Sequence, residues 1–151
     1  IPVNGKYTHR QKAVYNAVLK VMKAATGMLR PSTKLDEYQK EVGKLIESEL
    51  VSLGLLNKED IANQDPEKPL YKKYFMHGTS HYIGLDTHDV GDRFAYLKPG
   101  MVFTVEPGIY IPEENIGVRI ENDVVVTEDE PHDLMRNIPR EAEEIEELMN
   151  G

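Results

Sequence analysis

An early segment of the chain repeats apolar residues at the three- and four-residue spacing of an amphipathic helix. It opens with Thr8-His-Arg-Gln11, which has the Ser/Thr-x-x-Glu/Gln form of a capping box. Together these features predict a helix from about Thr8 to Met28, and Gly27 weakens its end. The residues expected to face the core are Ala13, Val14, Ala17, Val18, Val21, Met22 and Ala25.

A second amphipathic helix is predicted after Pro31. Thr33 and Asp36 would start it, and Gly54 would end it. The residues that would pack against the core are Leu35, Tyr38, Val42, Leu45, Ile46, Leu50 and Leu53. The stretch 57–74 that follows is polar and contains prolines, which predicts short turns and no long element.

From His81 onward the pattern changes to the period of two that is typical of β-strands. In the run 101–106, Glu106 lies on the face opposite Phe103 and Val105. A Pro-Gly pair follows directly, so the chain must bend there. This places a carboxylate at the end of a predicted strand.

The run 117–127 shows the same alternation. Arg119 and Glu121 share one face, whereas Val118 and Ile120 share the other. A cation and an anion are therefore expected along one surface.

The composition is typical of a soluble globular protein, with 40% hydrophobic and 29% charged residues and no apolar run long enough to cross a bilayer. Without such a run no membrane is expected as a partner, and because the net charge is -8 no nucleic acid is expected either. The chain has no cysteine, which excludes disulfides and thiolate metal sites and is compatible with a cytoplasmic location. The segment 1–5 has the form of a strand end running into a turn, so we expect residues 1–151 to be part of a larger protein.

Candidate chemistry is concentrated between His77 and Asp89, where three of the five histidines lie among glycines. Glu106 and Glu121 follow on the predicted strands. Carboxylates hold hard divalent cations, neutral imidazole adds a directional ligand, and further histidines can transfer protons, so this combination favours a metal-activated hydrolase. The H-E-x-x-H zinc motif is excluded, because Gly78 stands where that motif needs glutamate.

Each of these residues has a plainer interpretation when it is taken alone. His81 could be a structural or surface histidine, and Glu106 could be an edge-strand charge. Glu121 could form a surface ion pair with Arg119. Taken together they favour a site, because a buried carboxylate in an otherwise apolar strand must be paired or metal-bound.

Three sequence blocks carry a resemblance to a known family. They are His77-Gly-Thr-Ser-His81-Tyr-Ile-Gly-Leu-Asp-Thr-His88-Asp-Val-Gly, Lys98-Pro-Gly-Met-Val-Phe-Thr-Val-Glu106-Pro-Gly-Ile-Tyr110 and Gly117-Val-Arg119-Ile-Glu121-Asn-Asp-Val-Val-Val-Thr. In this order they resemble the aminopeptidase P (Xaa-Pro aminopeptidase) branch of the pita-bread metallopeptidases. The resemblance implies an α+β fold, namely the second half of a pita-bread (creatinase/aminopeptidase) architecture with a curved antiparallel sheet inside and helices packed outside.

The same resemblance implies a peptidase that uses two divalent metal ions, usually Mn²⁺, and releases the N-terminal residue from peptides with proline in second position. The positions that match metal ligands are His81, Glu106 and Glu121. The last of these matches the carboxylate that bridges both ions. The positions that match catalytic residues are His77, His88 and Arg119. The positions that match substrate-binding residues are Arg93 and Tyr110.

The chain departs from the family pattern at one point. The family's metal site also needs two aspartates from an earlier pair of strands, and the segment 1–7 contains no carboxylate side chain. We therefore expect that the full-length protein is the enzyme and a homo-oligomer. Residues 1–151 alone should bind metal weakly and have little activity, because an incomplete carboxylate set cannot neutralise two cations.

Two alternatives stay open at this point. A prolidase, which cleaves Xaa-Pro dipeptides, shares these ligands and differs mainly in its pocket and assembly. A non-catalytic pita-bread module would act by binding alone, and the joint presence of His81, Glu106 and Glu121 speaks against it.

Overall fold

The computed structural model describes residues 1–151 as an α+β arrangement of helices and short strands. The α-helices are α1 (His9–Met28), α2 (Leu35–Ser52), α3 (Lys58–Ala62) and α4 (Ala142–Asn150). The strands are β1 (Val102–Val105), β2 (Gly108–Ile111), β3 (Ile116–Arg119), β4 (Asn122–Val125) and β5 (His132–Asp133). Short 3-10 helices cover Leu70–Lys73 and Pro112–Glu114. None of the helices combines the length and the apolar character that crossing a bilayer requires.

The predicted capping box at the start of α1 is confirmed. The Thr8 hydroxyl accepts the Gln11 N–H at 3.2 Å, and the Gln11 side chain accepts the Thr8 N–H at 2.9 Å. These bonds satisfy backbone donors that have no partner within the helix. The helix continues through Gly27 to Met28, as the apolar spacing predicts.

The predicted start of α2 is wrong, whereas its predicted end is confirmed. Lys34 is the N-cap, and its ammonium group has no acceptor with which to cap the helix. The Thr33 hydroxyl, which is predicted at the helix start, donates to the Met28 carbonyl oxygen at 3.3 Å instead. At the other end, Gly54 has a φ of 75°, and the Leu55 N–H reaches back to the Leu50 carbonyl oxygen at 2.9 Å. This is a Schellman ending, in which a glycine adopts the left-handed conformation at low cost.

The strands form two antiparallel ladders along one bent ribbon. β1 pairs with β4, and β5 extends that sheet on the other edge of β4, while β2 pairs with β3. One side of the ribbon consists of β1 followed by β2, and the other side consists of β3 followed by β4. Both sides are interrupted at the same level, after Val105 on the first and before Asn122 on the second. The bend predicted at the Pro-Gly pair is thus confirmed.

The prediction of one strand across residues 117–127 is wrong, because this run divides between β3 and β4. Pro107 on the facing strand has no N–H to donate, so the regular ladder cannot continue past it. The Pro107 carbonyl oxygen still accepts the Ile120 N–H at 3.4 Å. This contact keeps the two chains side by side through the bend.

A third segment runs along the free edge of β1. The Thr104 N–H donates to the His81 carbonyl oxygen at 3.1 Å, and the Glu106 N–H donates to the Thr79 carbonyl oxygen at 2.8 Å. The strand pattern predicted from His81 onward is otherwise wrong for residues 83–95, which form turns, bends and irregular backbone. Their glycines and short polar residues favour turns over a continuous strand.

The apolar core lies between the helices and one face of the ribbon, and α1 packs against both α2 and the strands. Burial of each large apolar side chain contributes roughly 1.5–3 kcal/mol relative to exposure. The largest fully buried side chains include Met22, Leu29, Ile46, Leu50, Phe75, Phe103, Ile109 and Ile111. Because strand side chains alternate, the ribbon residues between the core positions face away from the helices.

Candidate metal centre

Three potential ligands meet on the face of the ribbon that points away from the helices. One ligand atom from each of His81, Glu106 and Glu121 lies within 4.8 Å of the other two. His81 Nε2 lies 3.2 Å from Glu106 Oε1. The predicted ligands are therefore brought together from three separate stretches of sequence.

The register of the ribbon explains why the two carboxylates meet. Val105 pairs with Asn122, and beyond the bend Gly108 pairs with Arg119. The register is the same on both sides, so Glu106 lies opposite Glu121. Opposed residues of an antiparallel pair project to the same face with their Cβ atoms about 5 Å apart. Two like charges so placed repel each other unless a cation lies near.

The hydrogen bonding of His81 leaves one ring nitrogen available as a ligand. Its Nδ1 lies 2.8 Å from the Tyr82 carbonyl oxygen, which can only accept, so Nδ1 carries the proton of the neutral ring. The lone pair of Nε2 then points at the Glu106 carboxylate. Two facing acceptors need a proton or a cation between them. The donor set therefore fits a divalent metal ion, with one imidazole and two carboxylates.

Arg119 provides positive charge beside the carboxylates. Its Nε lies 3.8 Å from Glu106 Oε2 and 3.8 Å from Glu121 Oε2. Arg119 and Glu121 thus lie on the same face, as predicted, although the strand is interrupted between them. The guanidinium is half exposed, so it offsets the charge of the pair without neutralising both carboxylates.

Thr104 is a part of the site that sequence reasoning missed. Its hydroxyl accepts the His81 N–H at 3.1 Å and donates toward Glu106 Oε1 at 3.5 Å. The residue is fully buried and stands two positions before Glu106, on the same face. That spacing was visible in the sequence, but the partner of the hydroxyl was not.

The other two histidines predicted to be catalytic occupy different surroundings. The His88 ring centroid lies 4.4 Å from that of His81, so His88 belongs to the same cluster. His77 pairs with Tyr110, whose hydroxyl lies 2.8 Å from His77 Nε2, while His77 Nδ1 contacts the Gly78 carbonyl oxygen at 2.9 Å. The latter bond assigns the proton to Nδ1, so the Tyr110 hydroxyl donates to His77.

Arg93 is not brought to the cluster of His81, Glu106 and Glu121. Its guanidinium lies over the Phe94 ring, 4.9 Å from the centroid, on an exposed turn. It lines a cavity of about 680 Å³ together with His77 and Ser80. Arg93 therefore shares a cavity with His77, which contacts Tyr110, the other predicted substrate-binding residue.

The sequence profile of metallopeptidase family M24 matches residues 1–128. The chain belongs to metallopeptidase family M24. Among curated M24 relatives, it is 43% identical to the Xaa-Pro aminopeptidase of Escherichia coli K12, over 98% of this chain and 36% of that protein. It is 39% identical to human Xaa-Pro aminopeptidase 3, over 97% of this chain and 31% of that protein. The chain therefore spans about a third of the length of these M24 proteins.

Solved structures support the same M24 assignment. The E. coli aminopeptidase P with the inhibitor Pro-Leu superposes with a TM-score of 0.87 at 42% identity, covering 99% of this chain and 36% of that one. A zinc-substituted form of the same E. coli enzyme in complex with product gives the same TM-score of 0.87 and 42% identity over the same shares, 99% and 36%. These likenesses confirm the predicted α+β fold of the pita-bread type.

Proposed function

We propose that this M24 chain supplies part of the metal centre of an aminopeptidase that releases the N-terminal residue from peptides with proline in second position. The observation that carries the proposal is the convergence of His81, Glu106 and Glu121 within 4.8 Å. The names of the relatives agree with it, since they are Xaa-Pro aminopeptidases across bacteria and mammals.

The metal in this proposal is a pair of divalent ions, with Mn²⁺ preferred. Two carboxylates and one imidazole suit a hard or borderline cation. When bound, such ions supply Lewis-acid polarisation of the scissile carbonyl and a lowered pKa for the attacking water. The chain spans about a third of the length of its relatives, and in this proposal two further acidic ligands come from the part that it does not span. The chain alone should therefore bind metal weakly and turn over little substrate.

The remaining site residues take roles that their contacts support. Arg119 limits the repulsion between Glu106 and Glu121, and Glu106 can also pass a proton to the leaving amine. His88 stands beside His81 at the exposed side of the cluster, where a substrate can reach it. His77 is held in one tautomer by Gly78 and receives a hydrogen bond from Tyr110.

Proline in second position requires a particular kind of site. The bond before proline is a tertiary amide without an N–H, so a peptidase that binds the scissile N–H cannot use it. A site that contacts only the carbonyl and the ring can. An imidazole with a free N–H, which His88 at the exposed side of the cluster can offer, is suited to the carbonyl oxygen.

The proposal is tested on a polypeptide that contains this chain together with the missing acidic ligands. We expect hydrolysis of an Xaa-Pro-Xaa tripeptide well above that of an Xaa-Pro dipeptide, and a loss of about 100-fold or more in kcat/KM for His81→Ala and Glu121→Gln. Glu114→Gln is the matched control, because it breaks an ion pair with Arg10 elsewhere on the ribbon. Light scattering on the same material tests the expected homo-oligomer.

Three results would contradict the proposal. Faster cleavage of the dipeptide would favour a prolidase. Full activity of Glu121→Gln would show that Glu121 is not needed to hold the metal. Efficient turnover by residues 1–151 alone would show that no further ligands are needed.

A further inference from the structure

A group of polar side chains is buried on the helix side of the ribbon, directly behind Glu121. Asn122 follows Glu121 in the chain and is only 6% exposed. Its side-chain Nδ2 lies 3.0 Å from Asp133 Oδ1 and 2.9 Å from Asp133 Oδ2. The Asp133 side chain is 12% exposed. None of these residues belongs to the metal centre described above.

We infer that Asp133 is a positioning residue for Glu121 and that it acts through Asn122. This inference rests on the proposed function, in which Glu121 is a metal ligand. It assigns a role to a carboxylate that does not itself reach the site.

The direction of the Glu121 side chain must be fixed through its backbone, because the side chain itself has few contacts that hold it in place. Its carboxylate receives no hydrogen bond from another side chain, and its charged neighbour is Arg119 at 3.8 Å. Glu106, by contrast, contacts His81 and the Thr104 hydroxyl. Glu121 also stands at the interruption between β3 and β4, where the ladder does not hold it. Its direction is therefore set by the residues on either side.

Asn122 can set that direction because neighbouring side chains of a strand point to opposite faces. The Asn122 backbone pairs with Val105, the residue before Glu106. Its amide group is anchored to Asp133 on the helix side, so the Glu121 side chain must project toward the other face. If Asp133 could not accept, the buried Asn122 amide would lose its partner, and turning it toward water would also turn Glu121.

Asp133 is itself held firmly enough to act as an anchor. The Arg140 guanidinium donates to Asp133 Oδ2 at 2.5 Å, and the Met135 N–H donates to Oδ1 at 2.8 Å. The Arg140 carbonyl oxygen accepts the Tyr15 hydroxyl of α1 at 2.8 Å. The anchor is thus connected to α1, a regular element whose Tyr15 is buried in the core.

The inference is tested with Asp133→Ala, which removes both acceptor oxygens, in the 151-residue chain and in the longer polypeptide that also carries the further acidic ligands. The first readout is the Mn²⁺ dissociation constant from electron paramagnetic resonance at a temperature where the variant is folded. We expect it to rise about tenfold, as for other residues that orient a metal ligand. The second readout is amide hydrogen exchange, which should become faster in β4 and stay unchanged in β3. Glu114→Gln is the control and should change neither.

The outcomes separate this inference from the proposed function. An unchanged Mn²⁺ dissociation constant for Asp133→Ala would overturn the inference while leaving the metal centre intact. If the unsubstituted longer polypeptide bound no Mn²⁺, the proposed function would fail instead, and the exchange rates in β4 would decide the positioning role alone. Should Asp133→Ala not fold, Asn122→Ser breaks the same contact from the other side and is judged by the same two readouts.

Discussion

Thr104 shows how a single buried hydroxyl can hold two candidate ligands in place. It accepts a backbone N–H from His81 and lies within reach of the Glu106 carboxylate. A hydroxyl can accept and donate at once, which neither a methyl group nor an ammonium group can do. The residue therefore matters more to the site than its lack of charge suggests.

Thr104→Val removes this hydroxyl while keeping the shape of the side chain. The His81 N–H would then be buried without its acceptor, so we expect the free energy of unfolding to fall by about 1–3 kcal/mol. Mn²⁺ affinity should fall with it, because His81 and Glu106 lose their common contact. Urea unfolding and metal titration measure the two effects. Thr104→Ser keeps the hydroxyl and should retain the affinity, and equal losses in both variants would contradict the role of the hydroxyl.

At the level of elements, the packing of α2 depends on a glycine that a helix would not ordinarily favour. A Cβ placed on Gly43 would lie 2.7 Å from Cε1 and 2.8 Å from Cζ of Tyr71. Tyr71 belongs to the 3-10 helix Leu70–Lys73 and is buried. Gly43 thus lets this short helix approach α2 closely. The chain then continues from the short helix to His77.

Alanine substitutions at two helical glycines should change stability in opposite directions. Alanine normally stabilises a helix by about 1 kcal/mol relative to glycine, and at Gly27 of α1 nothing lies within 4 Å of the added Cβ. Gly27→Ala should therefore raise the free energy of unfolding by about 0.5–1 kcal/mol. Gly43→Ala should lower it by about 1–3 kcal/mol, because the Tyr71 ring must move. Urea denaturation of both variants checks this, and a stabilised Gly43→Ala would show that the ring is free to shift.

Across the whole molecule, ion pairs connect parts of the chain that are far apart in sequence. Lys12 Nζ lies 2.6 Å from Glu146 Oε2, which ties α1 to α4, and Arg10 Nε lies 2.6 Å from Glu114 Oε2. Hydrogen bonds from Lys12 and Arg10 hold the pKa values of Glu146 and Glu114 below their ordinary range. For Asp133, burial raises the pKa, but hydrogen bonds from Arg140, the Met135 N–H and Asn122 outweigh it and lower the pKa.

These lowered pKa values predict how stability depends on pH. A carboxyl group whose pKa is lower in the folded than in the unfolded state stabilises the fold above its unfolded pKa of about 4, and that contribution is lost as the pH falls through the folded value. We expect the free energy of unfolding to decrease steadily below about pH 4.5. Urea unfolding between pH 7 and pH 3 measures it. Asp133→Asn should show a shallower decrease, and stability that increased on acidification would contradict the assignment.

Much of the helical half could be predicted from the sequence, because its signals are local. The capping box of Thr8 and Gln11 and the glycine ending at Gly54 lie within one or two turns of the helix ends that they define. The start of α2 was missed because the Thr33 hydroxyl bonds to the Met28 carbonyl oxygen, a contact with the end of α1 that the sequence of α2 does not contain.

The chemical types of the candidate ligands were likewise present in the sequence, since imidazole and carboxylate define what kind of cation a site can hold. Only the tertiary structure decided that they meet. Glu106 and Glu121 face each other because the register of the ribbon continues unbroken across the bend at Pro107, and His81 joins them because its segment pairs with the free edge of β1. Register and pairing between distant segments depend on the packing of the whole chain, which no local pattern records. For the same reason the separation of Arg93 from the cluster, and the link from Asp133 to Asn122, became visible only in the folded molecule.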